Sequence, residues 1–295
     1  MRVPRRHADE VETDAALVRR LLRSQFPDWA ELPVEPVASS GTVNALYRLG
    51  GDLAVRLPRI REQRSRMGNL RRELELLPVL APLVPTGLPH AVAVGRPDDG
   101  YPYEWAVYRW IGGENPEPGG SDGLALPLAA FVRAVWSIDL PGPPVARSPD
   151  LASFDEFTRE NIEALDGELD RDAATALWED VLAVPAWPRD PVWVHGDVMP
   201  GNLVARDGVL AAVIDWGCAG LGDPACDLMV AWNLLGPEGR AVFREAVDVD
   251  EDTWARGRGW ALWTGLGAQP YYRETFPEFA AHGRRTVLEV LADEA

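Results

Sequence analysis

Apolar residues recur at helical spacing over residues 9–25, where Val11, Ala15, Val18, Leu21 and Leu22 share one face. Pro27 and Pro33 end that pattern. Short apolar runs at 34–38, 45–49 and 53–58 then alternate with polar turns and predict three strands. Residues 60–80 return to helical spacing, with Leu70, Leu74, Leu77 and Leu80 on one side. Residues 91–95 and 103–111 read as further strands, separated by the turn signal Pro97-Asp98-Asp99-Gly100. Gly112-Gly113-Glu114-Asn115-Pro116 breaks the last of these. Beyond it the spacing predicts helices over 126–140, 154–165, 173–182, 227–235, 239–247, 252–265 and 279–291. Two apolar runs interrupt them, Val192-Trp193-Val194 and the stretch 210–214, with Arg206-Asp207-Gly208 between; Asp-Gly is a hairpin signal. The expected class is α+β, strand-rich at the start and mostly helical afterwards.

Each interrupting run ends in polar residues. His195, Asp197 and Asn202 follow the first, and Asp215 follows the second. Asp197, Asn202 and Asp215 should therefore converge at one end of a small β-unit. Two carboxylates and an amide oxygen suit a hard cation such as Mg²⁺. Phosphoryl transfer needs such an ion on the phosphates and a carboxylate to aim the attacking hydroxyl. A buried histidine with two structural aspartates would need a separate reason for each polar residue.

The pattern His195-Gly196-Asp197, then Asn202, then Ile214-Asp215-Trp216-Gly217 resembles the aminoglycoside phosphotransferase family. These are small-molecule kinases with a two-lobe, protein-kinase-like fold. Gly222-Asp223-Pro224-Ala225-Cys226-Asp227-Leu228 is similar to a further segment of that family. The resemblance implies a β-rich nucleotide-binding N-lobe over 1–110 and a mostly helical C-lobe over 111–295. It implies Asp197 as the catalytic base, with His195 bracing the loop or moving protons, and Asn202 and Asp215 as Mg²⁺ ligands. Ser39, Ser40, Gly41 and Thr42 would lie over the phosphates of ATP or GTP, although a polar turn without a ligand fits the same residues. Arg56 stands where protein kinases carry lysine. Some branches of the family have a similar segment, here Val55-Arg56-Leu57-Pro58-Arg59. Glu73 would pair with Arg56, with Glu62 and Glu75 as competitors, and an Arg56 facing solvent is the bland alternative. Arg109, Trp110 and Ile111 would form the hinge that holds the base. Asp223 and Asp227 read as structural. Trp232, Trp254, Trp260, Trp263, Tyr271 and Tyr272 read as helix core, some of it walling the acceptor pocket.

Composition narrows the partners. The 295 residues carry a formal net charge of −17, and every one of the 29 basic residues is arginine. Without lysine no Walker A motif is possible. The negative charge disfavours nucleic acid and anionic membranes and suits a cationic acceptor. No apolar run reaches the ~20 residues a membrane helix needs, and the start lacks a signal-like apolar core. A cytoplasmic protein with two reduced cysteines, Cys218 and Cys226, is expected. The expected reaction moves the γ-phosphate of a nucleotide to a hydroxyl of an aminoglycoside. A macrolide, choline or a sugar are open as acceptors. A non-catalytic nucleotide-binding module is a different class, as is a metal-dependent phosphoesterase, which would need more ligands than four histidines supply.

Overall fold

Period-two alternation builds one antiparallel sheet from five strands, β1 (Val34–Pro36), β2 (Asn44–Leu49), β3 (Leu53–Pro58), β4 (Ala91–Gly95) and β5 (Trp105–Arg109), in the order β1-β2-β3-β5-β4. The computed structural model describes residues 5–7, 9–38, 41–60, 70–98, 100–146 and 150–293. Register pairs Tyr47 with Val55 and Val55 with Val107. These residues, with Leu49, Leu53, Leu57 and Trp105, form one buried core with Leu17, Val18, Leu21 and Leu22 of helix α1 (Ala15–Gln25). The opposite face carries Asn44, Leu46, Ala54, Arg56, Ala106 and Tyr108, because side chains alternate along each strand. Helix α1 starts at Ala15 rather than at residue 9, since the Asp14 carboxylate caps it by accepting from the Leu17 N–H.

Helix α2 (Leu70–Leu80) belongs by sequence to the sheet lobe. Its Leu70, Leu77 and Leu80 nevertheless join the core of the helical lobe. The first part of the helix expected over 60–80 falls at residues 61–69, outside the described residues. Helices α3 (Ala125–Trp136), α4 (Asp155–Ala164), α5 (Arg171–Ala183), α7 (Pro237–Val247), α8 (Glu251–Tyr272) and α9 (Pro277–Ala292) surround that core. The helix expected over 227–235 is instead a 3-10 stretch, Pro224–Met229, running into the single turn α6 (Val230–Asn233). Trp178, Trp193, Trp216, Trp232 and Trp260 are fully buried. Among the described residues no helix is long and apolar enough to cross a membrane.

Candidate active site

Two small two-stranded sheets hold the polar residues together. Strand β6 (Val192–Val194) pairs with β9 (Gly220–Gly222), not with the run 210–214 that the sequence placed across a turn from it. Strand β8 (Val209–Val213) pairs with its immediate neighbour β7 (Leu203–Arg206). Asp207 and Gly208 close that hairpin with φ of 54° and 76°, the positive values that a type I′ turn needs. The segment 195–202 bridges the two sheets, and Ile214 N–H donates to Asn202 O at 2.8 Å. Asp197, Asn202 and Asp215 thus converge. Gly196 has φ of 77°, and a Cβ there would lie 3.0 Å from Val145 Cγ2, so the bend requires glycine.

The bend is fixed from below by Asp227, which is fully buried. Its Oδ2 accepts from the His195 N–H at 3.1 Å and from Trp136 Nε1 at 3.2 Å, and its Oδ1 accepts from the Gly196 N–H at 2.8 Å. Burial raises the pKa of this carboxyl, opposed by His195 and by the two backbone donors. Asp227 is structural as expected, but its role is to hold the loop backbone. Asp223 caps the following 3-10 stretch and pairs with Arg256 at 2.7 Å.

His195 has no exposed surface. Its Nε2 lies 3.1 Å from Ile214 O, which can only accept, so Nε2 carries the proton. Its Nδ1 accepts from the Asp197 N–H at 3.2 Å. Trp216 packs against the ring at 4.8 Å between centroids. Both nitrogens are engaged by backbone groups, a position that suits the bracing of the loop expected of His195. Asn202 Nδ2 donates to Asp197 Oδ2 and to Asp197 O, both at 2.9 Å. That fixes the carboxylate's rotation and turns the amide oxygen of Asn202 to the other edge.

Arg56 joins the lobes. Its Nη1 lies 2.6 and 2.7 Å from the two carboxylate oxygens of Glu73, and its Nη2 lies 2.9 Å from Asp215 Oδ1. Asn44, with its amide oriented to place oxygen toward Arg56, accepts from Nε at 3.1 Å. Glu73 is 0% exposed and also accepts from the Tyr108 hydroxyl at 2.8 Å. Burial works against the charge on Arg56, yet Glu73 and Asp215 outweigh it and hold the guanidinium well above its usual pKa. Burial and the charge of Glu73 push the Tyr108 phenol well above its ordinary range. Asp215 is 33% exposed and adopts φ 63°, ψ 63°, a left-handed conformation that aspartate tolerates better than most residues. Glu75 faces solvent, and Glu62 lies outside the described residues. Arg72, beside Glu73, donates Nε to Ala219 O at 3.0 Å and latches α2 onto the start of β9.

The remaining candidates are placed less simply. Ser39 and Ser40 lie outside the described residues. Thr42 is buried, and its carbonyl accepts from His7 Nε2. The Arg109 N–H donates to His90 O and the Trp110 N–H to Asp52 O, both at 2.8 Å. A base at this hinge would be met by carbonyls or by the amide of Ile111, not by those two N–H groups. The sequence places Tyr108 in the hinge and Asn44 in the loop before β2; in the structure Tyr108 donates to Glu73 and Asn44 faces Arg56.

The model of the phosphotransferase enzyme family matches residues 34–260, well over half of the chain. The chain belongs to this family. An aminoglycoside 3'-phosphotransferase of Escherichia coli is 34% identical over 115 residues, which is 37% of this chain and 42% of that protein. One from Salmonella typhimurium is 27% identical over 124 residues, 40% of this chain and 46% of that protein. The chain thus spans less than half the length of these curated relatives. The GDP complex of an aminoglycoside 2'-phosphotransferase has the same fold, with a TM-score of 0.71 at 22% identity, covering 95% of this chain and 99% of that one. A macrolide 2'-phosphotransferase from Brachybacterium faecium gives a TM-score of 0.60 at 22% identity, covering 96% of this chain and 99% of that one. The two-lobe, kinase-like fold of the phosphotransferase family is therefore the fold of this chain.

Proposed function

We propose that this protein transfers the γ-phosphoryl group of ATP or GTP to a hydroxyl of a small cationic antibiotic of the aminoglycoside type. The observation that carries this reading is the ion-pair line Glu73–Arg56–Asp215, which fixes a cation beside a strand-end carboxylate and close to the loop of Asp197. Phosphoryl transfer asks mainly for positioning and charge stabilisation, and such a line supplies both. Asp197 aims the acceptor hydroxyl and receives its proton; Asn202 keeps its carboxylate from turning. Arg56 sets a permanent positive charge beside the place the phosphates would take, while its five N–H groups are engaged by Glu73, Asp215 and Asn44.

Among the described residues no group of three or more His, Cys, Asp or Glu is arranged to hold a metal. Mg²⁺ is commonly held by one or two protein oxygens together with substrate phosphates. Asn202 Oδ1 and the Asp215 carboxylate fit that donor set. Mg²⁺ bound there would neutralise phosphate charge. In this reading residues 1–110 form the nucleotide-binding lobe and residues 111–295 the catalytic and acceptor-binding lobe. The protein works in the cytoplasm, where its two free cysteines stay reduced.

Support for the acceptor class comes from similar proteins, one of them solved with GDP and kanamycin, and from the net charge of −17. Nucleotide complexes of similar proteins contain GDP, ADP or ATP, which favours no single donor. A macrolide acceptor is the second reading, favoured by the fold match to macrolide phosphotransferases. The test incubates the protein with Mg²⁺ and ATP or GTP against a panel of aminoglycosides and macrolides and weighs the products. One added phosphoryl group on a panel member is expected, and the panel member that gains it decides the acceptor. Nucleotide binding with no transfer to any hydroxyl compound would instead mark a non-catalytic binding module.

A further inference from the structure

The amino-terminal residues, which no motif claims, run across both lobes. Arg6 sets its guanidinium carbon 3.6 Å from the centroid of the Phe276 ring and donates Nη1 to Gly41 O. His7 Nδ1 lies 2.9 Å from the Tyr271 hydroxyl, and its Nε2 lies 3.2 Å from Thr42 O. A carbonyl only accepts, so Nε2 carries the proton and Nδ1 accepts from Tyr271; the neutral ring is satisfied at both ends. Tyr271 and Phe276 stand where α8 ends and α9 begins, in the helical lobe. Gly41 and Thr42 precede β2, in the sheet lobe. The N–H groups of Arg6 and His7 both donate to Glu10 Oε2, at 3.1 and 3.3 Å. Glu10 in turn lies 3.6 Å from Arg59, just past β3. The segment is therefore anchored in both lobes and touches the loop between them through two consecutive carbonyls.

Those carbonyls decide where the loop amides point. In a trans peptide the C=O and the following N–H are directed oppositely, and the described residues contain no cis peptide. With Gly41 O and Thr42 O turned to the segment of Arg6 and His7, the N–H groups of Thr42 and Val43 turn away from it. Successive amides facing one side make an anion-binding concavity. We infer that Arg6 and His7 are positioning residues: they hold the Gly41 and Thr42 carbonyls against the helical lobe, so that the loop amides are set to receive nucleotide phosphates. This rests on the phosphotransferase reading above.

The test uses the full-length protein, with Mg²⁺ and the non-hydrolysable imido analogues of ATP and GTP. Calorimetry reads Kd, and hydrogen exchange of residues 41–46 is followed without nucleotide. Arg6→Ala and His7→Ala should each raise Kd about tenfold, the usual reach of one lost hydrogen bond at a site, and speed exchange in the loop. His7→Gln keeps an amide N–H able to reach Thr42 O and should restore most of the affinity, whereas His7→Leu should not. Misfolded protein that does not interconvert with the native state would lower the calorimetric stoichiometry and leave Kd alone, and an unchanged Tm excludes a destabilised equilibrium. An unchanged Kd in both alanine variants overturns the inference, whether or not exchange changes. Wild-type protein that binds neither analogue removes the functional reading, and the exchange comparison then decides alone whether Arg6 and His7 hold the loop.

Discussion

Replacing Arg56 with alanine probes the site and the fold together. The change strips Glu73 of both ionic contacts, at 2.6 and 2.7 Å, and leaves its carboxylate at 0% exposure with the Tyr108 hydroxyl as its remaining side-chain donor. It also frees Asp215, but that side chain is 33% exposed and can hydrate. The cost therefore lies almost wholly at Glu73. Breaking one side of a buried pair costs about 3–5 kcal/mol, because an uncompensated charge stays inside. At about 2.1 cal/mol/K per residue, a chain of 295 residues unfolding as one unit should lose roughly 5–8 °C in Tm. Arg56→Met combined with Glu73→Leu removes both charges and should regain most of that stability without regaining nucleotide use. Arg56→Lys places one compact charge where a fork bridged two carboxylates, and should recover stability better than it recovers nucleotide affinity. Calorimetric Tm and nucleotide Kd are compared for wild type and the three variants, and adding Arg56→Met and Glu73→Leu singly closes a double-mutant cycle. An Arg56→Ala variant within 1 °C of wild type would refute the argument, since Glu73 would then have another source of compensation.

Three further outcomes are expected. Asp197→Asn keeps an oxygen for Asn202 Nδ2 but loses the charge; kcat should fall by about 10²–10⁴ in single-turnover assays while nucleotide Kd holds, and equal loss of both would make Asp197 a metal ligand. Asp227→Asn turns an NH₂ toward one of the N–H groups of His195, Gly196 or Trp136; it should cost about 1–3 kcal/mol and reduce kcat, and a wild-type Tm would contradict the bracing role. His282 is lowered from 6.5 to about 4, by burial first and by the charge of Arg285 second. Folding therefore favours its neutral form, and its contribution is complete above pH 6.5 and lost as pH falls through 4, by about 1–2 kcal/mol after discount for its partial exposure. Denaturant midpoints between pH 7 and 4 should slope less in His282→Gln than in wild type, and parallel slopes would exclude His282 as a source.

Local information in the sequence settled what depends on neighbours in the chain. Alternation marked β2, β3 and β5; helical spacing marked α1, α7 and α9; Asp207-Gly208 marked the turn before β8, whose positive φ values only a few residue types accept, although the strand across that turn is β7 rather than β6. The spacing of His195, Asp197, Asn202 and Asp215 was enough to bring them together, because short strands and a tight turn leave the segment little freedom. Partners distant in sequence were not legible. Strand β6 pairs with β9 because the segment 195–202, not a turn, lies between β6 and β7. The rotation of Asn202 toward Asp197, the proton on His195 Nε2 and the contact of Arg56 with Asp215, 159 residues away, follow from packing that no spacing encodes. Arg6 and His7 carry no periodic signal at all. Their role exists only because the end of α8 and the loop before β2 meet in space, and a hydrogen bond selects its partner by distance and direction, not by position in the chain.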